Sequence, residues 1–165
     1  MSERHEYTVC FLFSPDLSKV LLVRKNATDF AGKLNGVGGD LEKGEMAYHC
    51  AEREVLEETG VSQSGLQSLG LVRMAPLGTL DLPHDCKYGS GKAVLHYFAG
   101  ALKPGTAAGK VTDKGEDLVW EPVEDVLNAT PLSGRYAGNG DVPYFVKAGL
   151  DALDRYLPKT DRKET

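Results

Sequence analysis

The chain has 165 residues, 41% of them hydrophobic, with 19 Lys and Arg against 24 Asp and Glu and a formal net charge of −5. A chain of this length can build its own core without disulfides or a structural metal, and its composition excludes global disorder and collagen-like repeats. The acidic balance speaks against nucleic acid as a partner, which calls for a basic face, but it leaves small anionic substrates open where a divalent cation mediates the contact.

Residues 6–13 alternate Tyr7, Val9, Phe11 and Phe13 with Thr8, Cys10 and Leu12, the period of a strand. Ser14-Pro15-Asp16 marks a turn, and Val20 to Val23 is a short buried strand, so the first 24 residues predict a hairpin. Five glycines then fall between Gly32 and Gly44. From Glu45 to Thr59 there is neither Gly nor Pro, and Gly60 is placed to end a helix over that span. Leu66 to Met74 and Ala93 to Leu102 read as strands. The second is apolar on both faces (Leu95, Tyr97, Ala99 against Val94, Phe98, Leu102), as in a central strand covered from both sides. Pro76 to Gly91 reads as a long loop and Pro104 to Gly115 as another. Leu118 to Trp120 predicts a strand, Pro122 opens a short helix through Leu127, and Asp141 caps a last helix buried along Phe145, Val146, Leu150, Leu153 and Leu157. Interleaved strands and helices give an α/β or α+β class with one mixed sheet, a single domain over 1–158 and a polar tail over 159–165.

Cys10, Cys50 and Cys86 are odd in number and widely spaced, which predicts free thiols in a reducing compartment. The charged N-terminus has no apolar stretch of signal-peptide type, and no run approaches the length of a membrane span. A cytoplasmic protein without a membrane partner is expected. His84-Asp85-Cys86 matches no standard zinc spacing and reads as loop. His49 lies away from the glutamates discussed next and reads as surface; Trp120 and Tyr97 read as core.

The chemistry concentrates in Gly38-Gly39-Asp40-Leu41-Glu42-Lys43-Gly44-Glu45 and the helix that follows. With Glu54 taken as zero and a helical step of ~100°, Glu57 lies at about −60° and Glu58 at about +40°. Three carboxylates therefore share one arc, and the same arc carries the small residues Ala47, Cys50 and Ala51. Small residues at those positions predict close approach of backbone or sheet, leaving the glutamates at a crowded edge. Clustered oxygen ligands suit a hard cation such as Mg²⁺ or Mn²⁺. Gly36, Gly38 and Gly39 permit close backbone approach, so that a carbonyl could complete a cation's shell or amides could meet a phosphate.

The spacing of Gly39, Glu45, Arg53, Glu54, Val55, Glu57, Glu58, Gly60 and Val61 resembles, at every position, the signature of the Nudix hydrolase family. The resemblance implies an α/β/α sandwich and Mg²⁺- or Mn²⁺-dependent cleavage of a nucleoside diphosphate linked to another moiety. It implies Glu54, Glu57 and Glu58 as metal ligands, the Gly38 carbonyl as a further one, and Glu57 or Glu58 as the group that orients or deprotonates water. Glu45 and Arg53 match positions that support the loop and helix. Glu116 matches a further glutamate that often joins the metal. Leu34-Asn35-Gly36-Val37-Gly38-Gly39 is similar to a stretch of the MutT-like branch that acts on oxidised purine nucleoside triphosphates, with Leu34 in place of a tryptophan. That similarity implies Asn35, Gly39 and Asp141 as substrate contacts, although Asn35-Gly36 also reads as a turn and Asp141 as a helix cap. Pro76 is similar to a proline of relatives that act on ADP-ribose. The expected substrate is a (deoxy)nucleoside triphosphate, the expected assembly a monomer or homodimer. The alternatives are a nucleoside diphosphate derivative such as ADP-ribose, or a nucleotide-sensing module without catalysis.

Overall fold

The computed structural model describes residues 5–26, 31–67, 70–82, 91–130, 133–137 and 141–158. Six strands form one mixed sheet: β1 (His5–Phe13), β2 (Lys19–Arg24), β3 (Leu34–Asn35), β4 (Val72–Leu82), β5 (Gly91–Ala101) and β6 (Leu118–Pro122). The order is β3-β2-β1-β5-β4, with β6 also paired to β2. β1 and β5 run parallel from His5↔Ala93 to Phe13↔Ala101, and every other strand pair is antiparallel. The expected hairpin is present, with Leu12 opposite Leu21 and Phe13 opposite Val20. Its turn is closed by Asp16, whose carboxylate accepts from the Ser14 and Ser18 hydroxyls at 2.8 and 2.7 Å.

The alternation in β1 and β5 divides the core between the two faces of the sheet. Phe11, Phe13, Tyr97 and Ala99 meet Val142, Val146 and Leu153 of helix α3 (Asp141–Tyr156), with Val126 of helix α2 (Val123–Asn128) on the same side. Cys10, Leu12 and Phe98 face Ala51 and Val55 of helix α1 (Ala47–Thr59) on the other. The result is the layered α/β/α arrangement. Each fully buried Phe or Leu in those layers contributes about 1.5–3 kcal/mol of burial. Among the described residues, no helix is long and apolar enough to cross a membrane.

Three expectations change. The segment from Pro76 is strand rather than loop: β4 continues to Leu82 opposite β5, which begins at Gly91. A register shift between Met74 and Gly78 absorbs the proline, which lacks an N–H for the ladder. At its other end β4 starts only at Val72, because a 3₁₀ turn at Gln63–Gly65 precedes Leu66, which makes only an isolated bridge to Leu102. Trp120 is not core: it keeps 36% of its surface exposed on β6, whereas Tyr97 is buried at 6%. The last helix begins at Asp141, which lies in its first turn. His49 is exposed. Cys10 and Cys50 are free and buried; Cys86, the rest of His84-Asp85-Cys86 and the tail over 159–165 lie outside the described residues.

Candidate active site

Helix α1 starts at Ala47, two residues later than the sequence suggests, and ends on Gly60 in the left-handed region (φ 75°), whose N–H closes on Leu56 O at 2.9 Å. That cap fixes where the last turn stops, and with it the direction of Glu57 and Glu58. The face that carries the glutamates is pinned to the loop before it. Cys50 Sγ lies 3.5 Å from Thr8 Oγ1 and 3.5 Å from Asp40 O, and Thr8 N donates to Gly39 O at 2.9 Å. The loop runs along β1 through bridges at Cys10↔Val37 and Tyr7↔Asp40. A Cβ at Gly38 would stand 1.9 Å from Thr8 O, so only glycine fits there, and one at Gly39 would stand 2.4 Å from Glu54 Oε1, so a side chain there would displace that carboxylate.

Glu54 and Glu58 are 6% and 2% exposed, an uncommon state for glutamate, whereas the Glu57 side chain keeps 46% of its surface. Glu58 Oε2 accepts the Gly38 N–H at 3.0 Å, while its Oε1 is buried with no hydrogen-bond partner among the described residues. Burial pushes the Glu58 carboxyl up to about 7; the Glu54 charge adds to this, and the Gly38 amide, Lys25 and Lys114 oppose it. Burial likewise raises Glu54, against the pull of Arg53. An unpartnered carboxylate oxygen in a buried site is costly for a protein and is what a hard cation satisfies.

Arg53 ties the group together. Its Nε and Nη2 meet Glu45 Oε1 and Oε2 at 2.8 and 3.0 Å, a bidentate pair that holds the Glu45 carboxyl down at about 2. Its Nη1 reaches Glu54 Oε1 at 3.0 Å and Glu57 Oε2 at 3.2 Å, and its Nη2 reaches Asp40 O at 3.1 Å. The guanidinium thus stands between two of the expected metal ligands as well as supporting the loop. Among the described residues, no three His, Cys, Asp or Glu side chains are grouped so as to hold a metal ion as they stand. The donors are nevertheless all carboxylate and carbonyl oxygens, the set that fits Mg²⁺ or Mn²⁺.

The other expected residues lie on other elements. Glu116 is buried, and its carboxylate is turned onto Lys25 Nζ at 3.4 Å and the Asn26 N–H at 2.9 Å. Asn35 ends β3 and its Oδ1 accepts the Gly36 N–H at 2.8 Å; the two residues form no turn, since Gly36 leads directly to the bridge at Val37, and Asn35 Nδ2 has no partner among the described residues. Asp141 is exposed at the start of α3, close enough to Tyr97 for its charge to add to the burial that raises that phenol to about 12. Tyr97 stacks on Phe145 with ring centroids 3.5 Å apart. Lys25 and Lys114, whose charges reach the buried glutamates, were not singled out in the sequence, where each is one lysine in a polar loop.

The profile of the NUDIX domain matches residues 3–138. A mouse protein named oxidized purine nucleoside triphosphate hydrolase is 35% identical over 82 residues, which are 50% of this chain and 51% of that protein. The chain therefore spans about half the length of this relative. In fold, the chain is similar to the E. coli dihydroneopterin triphosphate pyrophosphohydrolase, with a TM-score of 0.68 and 16% identity over 89% of this chain and 95% of that one. It is also similar to the NUDIX domain of Shewanella oneidensis NrtR complexed with ADP ribose, with a TM-score of 0.65 and 18% identity over 93% and 90%. With its loop, capped helix and buried glutamates inside the matched region, the chain belongs to the NUDIX domain family.

Proposed function

We propose that the chain is a Mg²⁺-dependent hydrolase, with Mn²⁺ as substitute, that converts a (deoxy)nucleoside triphosphate to the monophosphate and pyrophosphate, with oxidised purine nucleotides as its preferred class. The observation that carries the reading is the buried, unpartnered Oε1 of Glu58 beside the Gly38 amide and Glu54. Glu54, Glu57, Glu58 and the Gly38 carbonyl would hold the cation, with Glu116 as a further carboxylate. When bound, a divalent cation neutralises charge on phosphoryl oxygens and lowers the pKa of water.

The chain's own groups do the rest. Glu57 or Glu58 accepts the proton of the attacking water. Arg53 ties Glu54 and Glu57 to the backbone at Asp40, so that the carboxylates are fixed before substrate arrives. Asn35 Nδ2 donates to an acceptor on the base, Asp141 accepts from a base N–H, and Gly39 lets the phosphates come close to the backbone. The mouse relative's name supports an oxidised purine triphosphate as substrate. Pro76 lends no weight to ADP-ribose, since it lies in the β4 irregularity.

The test is a hydrolysis screen of nucleoside triphosphates, their 8-oxo-purine forms and ADP-ribose with Mg²⁺ or Mn²⁺, with products separated by chromatography. Monophosphate plus pyrophosphate, strongest from oxidised purines, is the expected result. AMP plus ribose phosphate would move the substrate to the nucleoside diphosphate derivatives, and no turnover of any of them would point to a nucleotide-sensing module.

A further inference from the structure

Glu121 is a buried carboxylate that the catalytic reading leaves unused. It stands on β6 opposite Val20, on the apolar face that also carries Leu22 and Val119, yet it is only 5% exposed. Three donors converge on it from a distant part of the chain. Arg135 Nε reaches Oε2 at 3.1 Å, Arg135 Nη2 reaches Oε1 at 2.5 Å, and the Tyr136 hydroxyl donates to Oε2 at 2.9 Å. Burial alone would raise this carboxyl, but the bonds from Arg135 and Tyr136 bring it below the ordinary glutamate value. A well-packed apolar residue in such a place is often as stable as a buried ion pair, so stability gives no reason for a carboxylate here.

What the clamp holds is more informative. The backbone of the gripped segment runs along β3, with Leu34 N donating to Arg135 O at 2.9 Å and Ala137 N donating to Leu34 O at 2.8 Å. Leu34 immediately precedes Asn35. Asn35, assigned above to the base, therefore follows directly on the residue that the strip grips, and that strip is fastened to the sheet through Glu121. A short strip with two backbone bonds is weakly held by itself, and three charge-assisted or phenolic bonds to one buried carboxylate fix its position.

The geometry points to Glu121, gripping Arg135 and Tyr136, as a positioning residue for base recognition: it sets the place of Asn35 without touching substrate. This rests on the substrate reading above. The variants are Arg135→Ala and Tyr136→Phe. The Arg135 side chain is 52% exposed and Tyr136→Phe keeps the ring, so neither variant removes an apolar side chain from the core, and Tyr136→Phe leaves Glu121 its charged partner.

Two readouts test the inference. In steady-state kinetics with purine and pyrimidine nucleoside triphosphates, Arg135→Ala should raise KM for the preferred purine roughly tenfold, about the effect of one lost charged hydrogen bond. It should leave kcat and the pyrimidine KM within about twofold, because the clamp touches no reacting atom. Equal changes for all substrates, a loss confined to kcat, or no change would overturn the positioning role. The second readout is amide hydrogen exchange without substrate. The Leu34 and Ala137 amides should exchange roughly tenfold faster in both variants while β1 and β5 stay protected, and unchanged exchange would overturn the clamp. If the wild-type chain turns over no nucleoside triphosphate, the substrate reading fails, and the exchange rates still decide whether Glu121 holds the strip.

Discussion

Arg53 shows how one side chain links stability to the site. Its fork closes on both oxygens of Glu45 and its third nitrogen is shared by Glu54 and Glu57, so the loop and the glutamate face are fixed by the same cation. The Glu45 carboxyl is held at about 2, below its ordinary 4.5. A carboxyl depressed in the folded state stabilises the fold fully above its unfolded pKa, and the gain is lost as pH falls through the folded one. Glu45→Gln should therefore be less stable than the parent at pH 6, and the gap should close between pH 4.5 and about 2. Thermal melts of both proteins over that range check it, and a gap independent of pH would exclude the Arg53 pair as its source. Asn35 allows a second test at this scale. Its Oδ1 is taken by the Gly36 N–H, so it has only Nδ2 to offer a base. Asn35→Asp keeps the bond to the Gly36 N–H and removes the donor, so it should raise the purine KM about as far as Asn35→Ala, roughly tenfold. Near-parental KM for the Asp variant would confine Asn35 to its bond with the Gly36 N–H.

Among the elements, α1 and the loop before it were legible because local chemistry specifies them. An uninterrupted helical run, Gly60 at its end and glycines where backbone meets backbone are all readable one residue at a time. β4 was less so. Pro76 and Gly78 are turn-forming residues by type, and only pairing with β5, distant in sequence, makes that segment a strand with an irregularity. Trp120 misled for a related reason: its size suggests core, but β6 pairs only with β2, and its place at the margin of the sheet leaves the ring partly in solvent. Nor could the sequence show that Arg53 would bridge Glu54 and Glu57, or that Glu121 would meet Arg135 and Tyr136, since side-chain pairing across elements leaves no periodic trace. The two close glycines make a paired prediction. In Gly39→Ala the new methyl meets the Glu54 carboxylate, so the protein should fold and lose activity by about 10²-fold, the scale of a 1 Å misplacement. In Gly38→Ala it meets the Thr8 backbone, so stability should fall by about 1–3 kcal/mol or more. Denaturant melts and turnover on both variants separate the two effects, and equal behaviour would contradict the distinction.

For the molecule as a whole, the parallel pairing of β1 with β5 puts the loop and α1 on one face of the sheet and α3 on the other. The proposed cation ligands and base contacts thus come from opposite layers joined through β1, β3 and β5. A net charge of −5 concentrated partly in buried glutamates gives this chain a use for a divalent cation beyond chemistry: binding would relieve the uncompensated charge of the folded state. At about 100 times its Kd such a cation should stabilise the fold by about 2.7 kcal/mol. The most direct test is a calorimetric titration of Mn²⁺ into the wild-type chain and into Glu58→Gln, each confirmed folded beforehand. Saturable binding by the wild type, lost or weakened at least about tenfold in the variant, is the predicted result. Equal binding by both proteins, or none by the wild type, would contradict the assignment of the α1 glutamates as the cation site.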